Sequence, residues 1–240
     1  MTSQREFAPL IALIGCDGSG KSTVGEEVLT WTRGYGPAEL VHLGKQSGNV
    51  ARALGKLPLL GKHLNKTIDS RSDSHRELRD KKTPGIIAAL VITAFLLRRL
   101  NRFRLMLALR RRGRIIVADR FPQLEIPGVC DGPGLSVTAP GNAMMRWLAG
   151  RERAAYGWMI GYRPDLVLRL NVDLDTAFAR KPDHSRVSLA RKVEGFPLLK
   201  YNGAPIVELD ASQPLDDVVA AAKEAVSRTL TERGYSLHSP

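Results

Sequence analysis

Residues 11–31, IALIGCDGSGKSTVGEEVLTW, decide the fold that we expect for this chain. Gly15 to Ser22 read G-x-x-x-x-G-K-S, which is the pattern of a phosphate-binding loop, or Walker A motif. The pattern is short enough to occur by chance, but here an apolar strand precedes it and a helical pattern follows it, and its mechanism needs both. The loop alone does not distinguish a motor, a switch or a kinase.

The loop residues have chemistry that suits a nucleoside triphosphate. Its glycines let backbone N–H groups turn inward around a β-phosphate, and the following helix N-terminus adds a partial positive charge. We expect Lys21 to reach the β- and γ-phosphate oxygens and Ser22 to bind Mg²⁺. The residues predicted to contact ATP here are Gly15, Cys16, Gly18, Ser19, Gly20, Lys21, Ser22 and Thr23.

Length and composition are those of a globular protein that folds around one core. The chain has 240 residues, of which 43% are hydrophobic and 25% charged, and α/β folds of this length commonly form one domain. We therefore expect a single domain over residues 1–240. Of the two cysteines, Cys16 lies inside the loop, which argues against a disulfide bond and favours a reducing cytoplasm. The N-terminal apolar stretch is predicted to be the first strand rather than a secretory signal.

Apolar runs alternate with helical patterns along the chain, which predicts a parallel sheet covered by helices on both faces. The expected fold is an α/β P-loop NTPase, a three-layer αβα sandwich with a five-stranded parallel sheet. The five runs have the Val, Ile and Leu content of strands buried on both faces. The predicted strands are PLIALIG, ELVHLG, GRIIVADR, DLVLRLNV and APIVELDA. The predicted helices lie at 22–33, 84–112, 141–162 and 213–233.

Two segments do not fit this alternation simply. The apolar run from Ile86 to Leu97 is shorter than the roughly 18 to 20 residues that a membrane span needs, so we expect a buried helix there. Residues 44–83 are polar, basic and interrupted by Gly and Pro, and we interpret them as a basic insertion.

The net charge of +12 and the pI near 10.1 imply an anionic partner. A phosphorylated small molecule, nucleic acid and an anionic membrane all fit, and so does a solvated basic surface without a partner. Nucleic acid is disfavoured because the basic segment lacks the interleaved aromatic residues on which single strands stack.

A second motif, GRIIVADRF, is an apolar strand that ends in Asp119 and Arg120. An acidic residue at the carboxyl end of a strand beside the loop strand can hold Mg²⁺, as a Walker B carboxylate does. Alone, the pair would fit a common surface ion pair. Together with the loop, it indicates a metal site formed by Ser22 and Asp119.

Four motifs, GCDGSGKST, VADRF, RPDLVLRLNV and IVELDAS, fall in the order and approximate spacing found in thymidylate kinase and related nucleotide kinases. The chain resembles this family from about Leu10 to about Ala225. The resemblance implies an ATP- and Mg²⁺-dependent phosphotransferase. It also implies that Asp17 faces the acceptor and the reacting phosphates, that Arg120 grips the acceptor phosphate, and that Arg98 points toward the acceptor base. Phe121 is assigned to the same acceptor site.

The resemblance further implies a lid over the donor phosphates at about residues 180–195, within ARKPDHSRVSLARK. Its candidate arginines are Arg180, Arg186 and Arg191. The stretch LDASQP, at residues 209–214, matches the segment that lines the donor adenine, through Ala211 and Ser212. The catalytic candidates are Asp17, Lys21, Arg120, Arg180 and Arg186.

Departures from the family fall on the acceptor side. The family's Glu-Pro-Gly-Gly segment after the second strand is VHLGKQSGN here, and FPQLEIPGVCDGPGLSV replaces the family's Ser- and Tyr-Gln-containing stretch. The predicted acceptor is therefore a nucleoside monophosphate or another small phosphorylated compound, with thymidylate itself unsupported. The alternatives are a kinase of a sugar, lipid or glycan precursor at a membrane face, and a nucleotide-dependent nucleic-acid-binding protein. A homodimer is left open.

Other notable residues have simple interpretations. The scattered histidines lack metal-ligand spacing and are interpreted as surface or packing residues. The loop around Asp131 either borders the acceptor pocket or is a plain surface turn. Aromatic residues at helical positions are expected in the core. These histidines are His42, His63, His75 and His184, and these aromatic residues are Trp31, Trp147, Tyr156 and Trp158.

Overall fold

A computed structural model describes residues 7–44, 86–126, 129, 131–135, 143–182 and 184–238, with side chains from residue 92 onward in the second helix. The predicted basic insertion at 44–83 lies almost wholly outside the described residues. The strands are β1 (Leu10–Gly15), β2 (Ala38–His42), β3 (Ile115–Asp119), β4 (Leu166–Asn171) and β5 (Ile206–Asp210). The helices are α1 (Lys21–Arg33), α2 (Ile86–Arg111), α3 (Ala143–Ile160), α4 (Leu174–Arg180), α5 (Arg186–Gly195) and α6 (Leu215–Glu232), with 3₁₀ turns at Phe196–Leu198 and Tyr201–Gly203.

The five strands form one sheet in the order β2-β3-β1-β4-β5, and every neighbouring pair is parallel. Parallel strands need right-handed crossovers, which place α1 on one face and α2 and α3 on the other. Helix α6 returns to pack on α1, and α3 packs on α2. The predicted three-layer α/β sandwich with a five-stranded parallel sheet is confirmed.

Burial differs between the centre and the edges of the sheet. Strands β1, β3 and β4 are buried almost throughout, whereas β2 and β5 are partly exposed. The expectation that all five strands are buried on both faces is therefore wrong for the two edge strands. An edge strand has only one neighbouring strand, and the helices cover it less completely; Leu40 of β2 is 43% exposed.

Helix α2 is buried on one side only over its described side chains. Phe103, Met106 and Leu107 face the core, while Leu97 is 61% exposed and Leu105 is 60% exposed. The expectation of a buried helix is wrong here because α2 covers one face of the sheet and has solvent on its other side. No helix in the described part of the chain is long and apolar enough to cross a membrane.

The aromatic residues of the helices also differ from expectation. Tyr156 is buried and Trp31 is half-buried, where its indole Nε1–H donates to Ser227 Oγ at 2.9 Å. Trp147 and Trp158, however, are 58% and 39% exposed, so the core interpretation is wrong for both.

Two helices were not expected from the sequence: α4, which ends where the predicted lid begins, and α5, which lies within the lid. Asp173 caps α4 by accepting a hydrogen bond from the Thr176 N–H at 2.8 Å. An acidic residue at the N-cap is a signal that the sequence carries, but the helix has only seven residues and little apolar periodicity.

Asp165 ties the helix layers together at the amino end of the sheet, opposite the loop. Its buried carboxylate accepts from the Leu10 N–H at 2.8 Å, from Arg110 at 3.1 Å and from Arg233 at 2.8 Å. Burial lowers the pKa of Arg110 to about 10, because Asp165 only partly offsets the loss of solvent and Arg233 repels the charge. This ion-pair cluster holds the helices to the amino end of the sheet, whereas the candidate site lies at the carboxyl end.

Candidate functional site

The loop between β1 and α1 has the backbone that the Walker A pattern requires. Gly18 has φ 90° and Gly20 has φ 79°, both in the left-handed region that favours glycine. Gly15 is needed for a different reason, since a Cβ there would lie 2.4 Å from Ser19 Oγ and 2.7 Å from the Leu170 carbonyl oxygen. Gly18 and Gly20 therefore give the loop its backbone path, and Gly15 lets it approach the end of β4.

The two left-handed glycines should respond differently to substitution. A Cβ on Gly18 would lie 2.8 Å from the Ala177 carbonyl oxygen, whereas a Cβ on Gly20 meets nothing within 4 Å. We expect Gly20→Ala to lower the free energy of unfolding by about 1–2 kcal/mol, the cost of the left-handed backbone alone. Gly18→Ala should lose more, because it adds a clash with backbone. Urea denaturation of both variants measures this difference, and equal losses would contradict the loop geometry.

Lys21 is buried in the loop at the start of α1. Its Nζ donates to the Cys16 carbonyl oxygen at 2.5 Å and lies 3.5 Å from Ser19 Oγ. Burial lowers the pKa of Lys21 and Arg120 lowers it further, against the opposing effects of Asp17 and Asp119. An ammonium group with a lowered pKa gains from an added anion, which is what the phosphate pattern predicts.

Ser22 and Thr23 lie in the first turn of α1 and are exposed. Asp119 ends β3, beside β1, with Leu13 as its partner in the strand register. Its Oδ2 is hydrogen-bonded to His42 Nδ1 at the end of β2, and its Oδ1 is buried without a hydrogen-bond partner. Burial opposes ionisation of Asp119, but His42 and Arg120 outweigh it and the pKa is lowered.

A buried, ionised carboxylate oxygen without a donor has the chemistry of a cation ligand. In the described part of the chain, no three His, Cys, Asp or Glu side chains come together as a metal cage. Mg²⁺ usually takes one or two protein ligands together with phosphates and water, so it does not need such a cage. Asp119, one of the two residues predicted to bind Mg²⁺, offers an oxygen atom of the kind that this ion takes.

Arg120 follows Asp119 in an unusual backbone conformation, with φ 69°. The left-handed backbone conformation costs free energy at any residue other than glycine, and residues that adopt it concentrate at functional sites. Here the turn sends the side chain back over the loop, where Nη2 lies 2.7 Å from Asp17 Oδ1 and Nη1 lies 3.5 Å from Asp131 Oδ2. A Cβ on Gly44 would be 2.5 Å from Arg120 Cδ, so a glycine at the end of β2 makes room for this path.

Basic side chains from several elements surround Asp17. Lys192 of α5 lies 2.5 Å from Asp17 Oδ2, and His184 Nδ1 lies 3.8 Å from the same oxygen. Burial raises the pKa of Asp17, but Lys192, Arg120 and Lys21 outweigh it and hold the pKa well below its usual range. Asp17 is therefore a permanently charged residue that links the loop, the β3 turn and the predicted lid.

A buried network holds Asp131, the residue behind Arg120. Arg99 of α2 donates to Asp131 Oδ1 at 3.0 Å and to the Tyr156 hydroxyl at 2.8 Å, and that hydroxyl donates to the Gly132 carbonyl oxygen at 2.9 Å. Burial raises the pKa of Tyr156 to about 12, partly offset by Arg99, so the phenol stays a donor. The open question about the Asp131 loop is thereby answered: its carboxylate is buried and faces the site.

Glu152 of α3 fixes the same loop from the other side. Its two carboxylate oxygens accept from the Gly134 N–H at 2.8 Å and the Leu135 N–H at 2.7 Å. The backbone of residues 131–135 is thus held by both helices of one layer, and Asp131 adopts a left-handed φ of 65°.

The remaining predicted residues take several positions. Arg180 donates to the carbonyl oxygens of Gly18 at 3.3 Å and Ala211 at 3.0 Å, and so joins the loop to the β5–α6 connection. Arg186 instead pairs with Asp175 at 2.5 Å and lies over the Phe178 ring, both on α4. Arg191 and Ser212 are exposed, and Ala211 is buried.

On the acceptor side, Arg98 is exposed and lies one helical turn before Arg102, whose Nη1 donates to the His42 carbonyl oxygen at 3.4 Å. Phe121 is only 2% exposed and packs against Phe103, so its side chain contributes packing rather than an accessible surface.

Sequence reasoning missed three residues of this site, His42, His184 and Lys192, and left two interpretations open for Asp131. His42 had a usable signal, because it ends a strand next to the strand that Asp119 ends, and parallel strands finish at a common edge. Lys192 carried no such signal, since nothing in the sequence shows that α5 turns it toward the loop, and the same holds for His184, two residues before that helix.

Two proteins of Escherichia coli K12 are similar to the chain over nearly its whole length. "Uncharacterized ATP-binding protein YghS" is 39% identical over 223 residues, which covers 92% of this chain and 94% of that protein. "Uncharacterized ATP-binding protein YghR" is 37% identical over 226 residues, covering 93% and 89%. The chain belongs to this family of ATP-binding proteins. No protein-family model matches it.

Membership of an ATP-binding family supports a nucleotide site, and the structure offers a cavity beside the loop. The cavity has a volume of about 230 Å³ and lies at the carboxyl ends of β4 and β5, under α5 and the following 3₁₀ turn. Its lining includes Cys16, Val172, Phe196 and Ser212. Two of its ten lining residues, Cys16 and Ser212, are among those predicted to contact ATP.

Proposed function

We propose that this protein is a single-domain, ATP- and Mg²⁺-dependent phosphotransferase that resembles thymidylate kinase. It moves the γ-phosphoryl group of ATP to a nucleoside monophosphate or a similar small phosphorylated acceptor. The observation that carries the proposal is Arg120, held in a left-handed turn against Asp17 of the loop and next to the buried carboxylate of Asp119. This side chain supplies positive charge where an acceptor phosphate would meet the donor.

The donor half of the proposal rests on the loop. Its backbone N–H groups and Lys21 bind the β- and γ-phosphates, and the N-terminus of α1 adds its dipole. The base occupies the side of the loop where Arg180 bridges Gly18 and Ala211 and where the cavity opens. Ser22 and Asp119 would hold Mg²⁺, which neutralises negative charge between the phosphates when it is bound.

The acceptor half rests on Arg120 and Asp17. A guanidinium group donates two parallel hydrogen bonds, which suits the oxygens of a phosphate. An acceptor phosphate oxygen forms a bond to the γ-phosphorus as the bond between that phosphorus and the departing ADP oxygen breaks. An acceptor phosphate is already ionised near neutral pH, so no base has to remove a proton. Asp17, whose pKa is lowered, accordingly orients Arg120 and Lys192.

Residues 180–195 act in this proposal as a lid, because Lys192 of α5 and His184, two residues before that helix, both reach Asp17. Positive charge from the lid reaches the same point as Arg120, which is where the equatorial oxygens of a transferred phosphoryl group need it.

Asp131 positions Arg120 and is expected to influence acceptor use without touching the acceptor. We expect Asp131→Asn to lower kcat/KM for the acceptor by about tenfold, because a neutral amide holds the guanidinium less firmly than a carboxylate. The KM for ATP should stay at the wild-type value. Steady-state kinetics with each substrate varied in turn measures both.

Asp165→Asn is a matched control for that experiment. Asp165 is as buried as Asp131, with 8% and 7% of its side chain exposed, and each pairs with a buried arginine. Asp165 lies at the opposite end of the sheet, so its variant should lose stability while keeping the kinetics of the acceptor. An equal loss of acceptor kcat/KM in both variants would mean that Asp131 acts only through stability.

The proposed activity is tested by a panel of acceptors. Purified protein is mixed with ATP, Mg²⁺ and single nucleoside monophosphates, nucleosides or sugar phosphates, and ADP release is followed. We expect release to depend on at least one phosphorylated acceptor and on Mg²⁺. ADP release at an equal rate with no acceptor would indicate an ATPase and contradict the proposal.

A further inference from the structure

Helices α2 and α3 together present an outer surface whose chemistry the proposed kinase site does not explain. Five of the ten large hydrophobic side chains that are exposed among the described residues lie on these two helices. We call this patch the α2–α3 surface. It consists of Leu97, Arg104 and Leu105 on α2, and Met144, Trp147, Arg151 and Trp158 on α3.

The residues of the patch share one side of each helix. Arg104 and Leu105 follow Leu97 by seven and eight residues, or about two helical turns, so all three side chains project from the same side of α2. On α3, the spacing of Met144, Trp147, Arg151 and Trp158 is three, four and seven residues, which is a continuous stripe.

Trp158 joins the two stripes across the helix pair. Its ring packs on Phe103 of α2 with centroids 5.5 Å apart, and the Arg104 guanidinium lies 6.0 Å from its centre. Arg151 lies over Trp147 in the same way, at 5.3 Å. The patch is therefore a single surface in which aromatic rings alternate with guanidinium groups.

The charge of this surface has one sign. The sequence of α2 contains no Asp or Glu, and the one acidic residue of α3, Glu152, is buried against the Asp131 loop. Exposed arginines extend the positive charge along both helices. These are Arg98, Arg104, Arg111, Arg146, Arg151 and Arg153.

We propose that the α2–α3 surface binds anionic phospholipid membranes. Exposed Trp and Leu side chains enter the headgroup region of a bilayer, and arginines beside them attract anionic lipids, each contributing to affinity. A second copy of this chain is a poorer partner, because a symmetric dimer would set this patch against itself and place arginines opposite arginines. The proposal concerns binding alone and does not depend on the kinase activity.

The test is co-sedimentation of the full-length protein with vesicles. Vesicles of phosphatidylcholine mixed with phosphatidylglycerol are compared with phosphatidylcholine alone, at low and high salt. We expect binding only to the mixed vesicles and a loss of binding at high salt. The Arg104→Glu and Arg151→Glu double variant should bind roughly 30-fold more weakly, and Trp147→Ala about tenfold more weakly.

Leu215→Ala with Arg228→Glu provides the matched control. Both residues are exposed on α6, which packs on α1 on the opposite face of the sheet. This variant should bind vesicles like the wild type. All variants change exposed side chains, and circular dichroism melts should coincide.

Several outcomes would overturn the proposal. Undiminished binding of the Arg104→Glu and Arg151→Glu variant would mean that another part of the chain, such as the predicted basic insertion at 44–83, carries the lipid affinity. Indifference of the wild type to mixed vesicles would refute it directly. A dimer seen by light scattering and lost in Trp147→Ala, without vesicle binding, would assign the surface to self-association.

Discussion

Lys21→Met is expected to lower acceptor-dependent phosphoryl transfer by roughly 10²- to 10³-fold, the usual loss when one preorganised donor to developing charge is removed. Lys21 is the side chain of the loop that would contact the β- and γ-phosphates. Methionine keeps the length of the side chain and removes its charge. The rate of ADP formation with a saturating acceptor measures the effect.

The same substitution should leave the unliganded protein as stable as the wild type, or more stable. Burial lowers the pKa of Lys21, so the charged ammonium is disfavoured in the folded state at neutral pH and its removal relieves that cost. Lys223→Met is the control, since Lys223 pairs with Glu27 on the outer helices α6 and α1. A Lys21→Met protein with wild-type activity would show that this loop is not the donor site.

Arg120→Ala is expected to raise the KM for the acceptor by about 10- to 100-fold, because a charged hydrogen-bonding group contributes roughly 1.5–3 kcal/mol to binding a phosphate. The KM for ATP should change little. Initial rates measured over a matrix of both substrate concentrations separate the two effects. A change in the KM for ATP without a change in the KM for the acceptor would mean that the donor and acceptor ends of the site are reversed.

Two further variants sharpen that result. Arg120→Gly also removes the side chain but accepts φ 69° without strain, so it should be more stable than Arg120→Ala and equally poor with the acceptor. Arg114→Ala removes an arginine at the other end of the same strand, where it pairs with Glu39 on the surface, and should leave both KM values unchanged.

The centre of the fold was predictable because its signals are local. The apolar runs identify β1, β3 and β4 directly, and the Walker A glycines mark the β1–α1 turn, where Gly18 and Gly20 adopt a positive φ. Sequence could not show which strands lie at the edges of the sheet, because edge position depends on pairing between distant segments. The partial exposure of β2 and β5 follows from that order and not from their composition.

The site was predictable only where a residue borders a strong motif. Asp119 and Arg120 come at the end of a clear strand, and Asp17 lies in the loop that follows the neighbouring strand. Because parallel strands end at the same edge of the sheet, the sequence could predict that these three residues lie close together. Lys192 reaches Asp17 from a short helix without a clear apolar pattern, and His184 reaches it from the segment before that helix. Trp147 and Trp158 show the opposite error: their helical spacing suggested core, yet spacing alone does not say which side of a helix meets the sheet.

The central claim is that ATP bound at the loop gives its γ-phosphoryl group to an acceptor held by Arg120. The most direct measurement is ³¹P NMR of the purified protein with ATP, Mg²⁺ and the acceptor that supports the fastest ADP release. We predict a new phosphoryl resonance on the acceptor that grows in step with ADP and is absent with Lys21→Met. Release of inorganic phosphate in place of that product, or ATP left unchanged, would contradict the account.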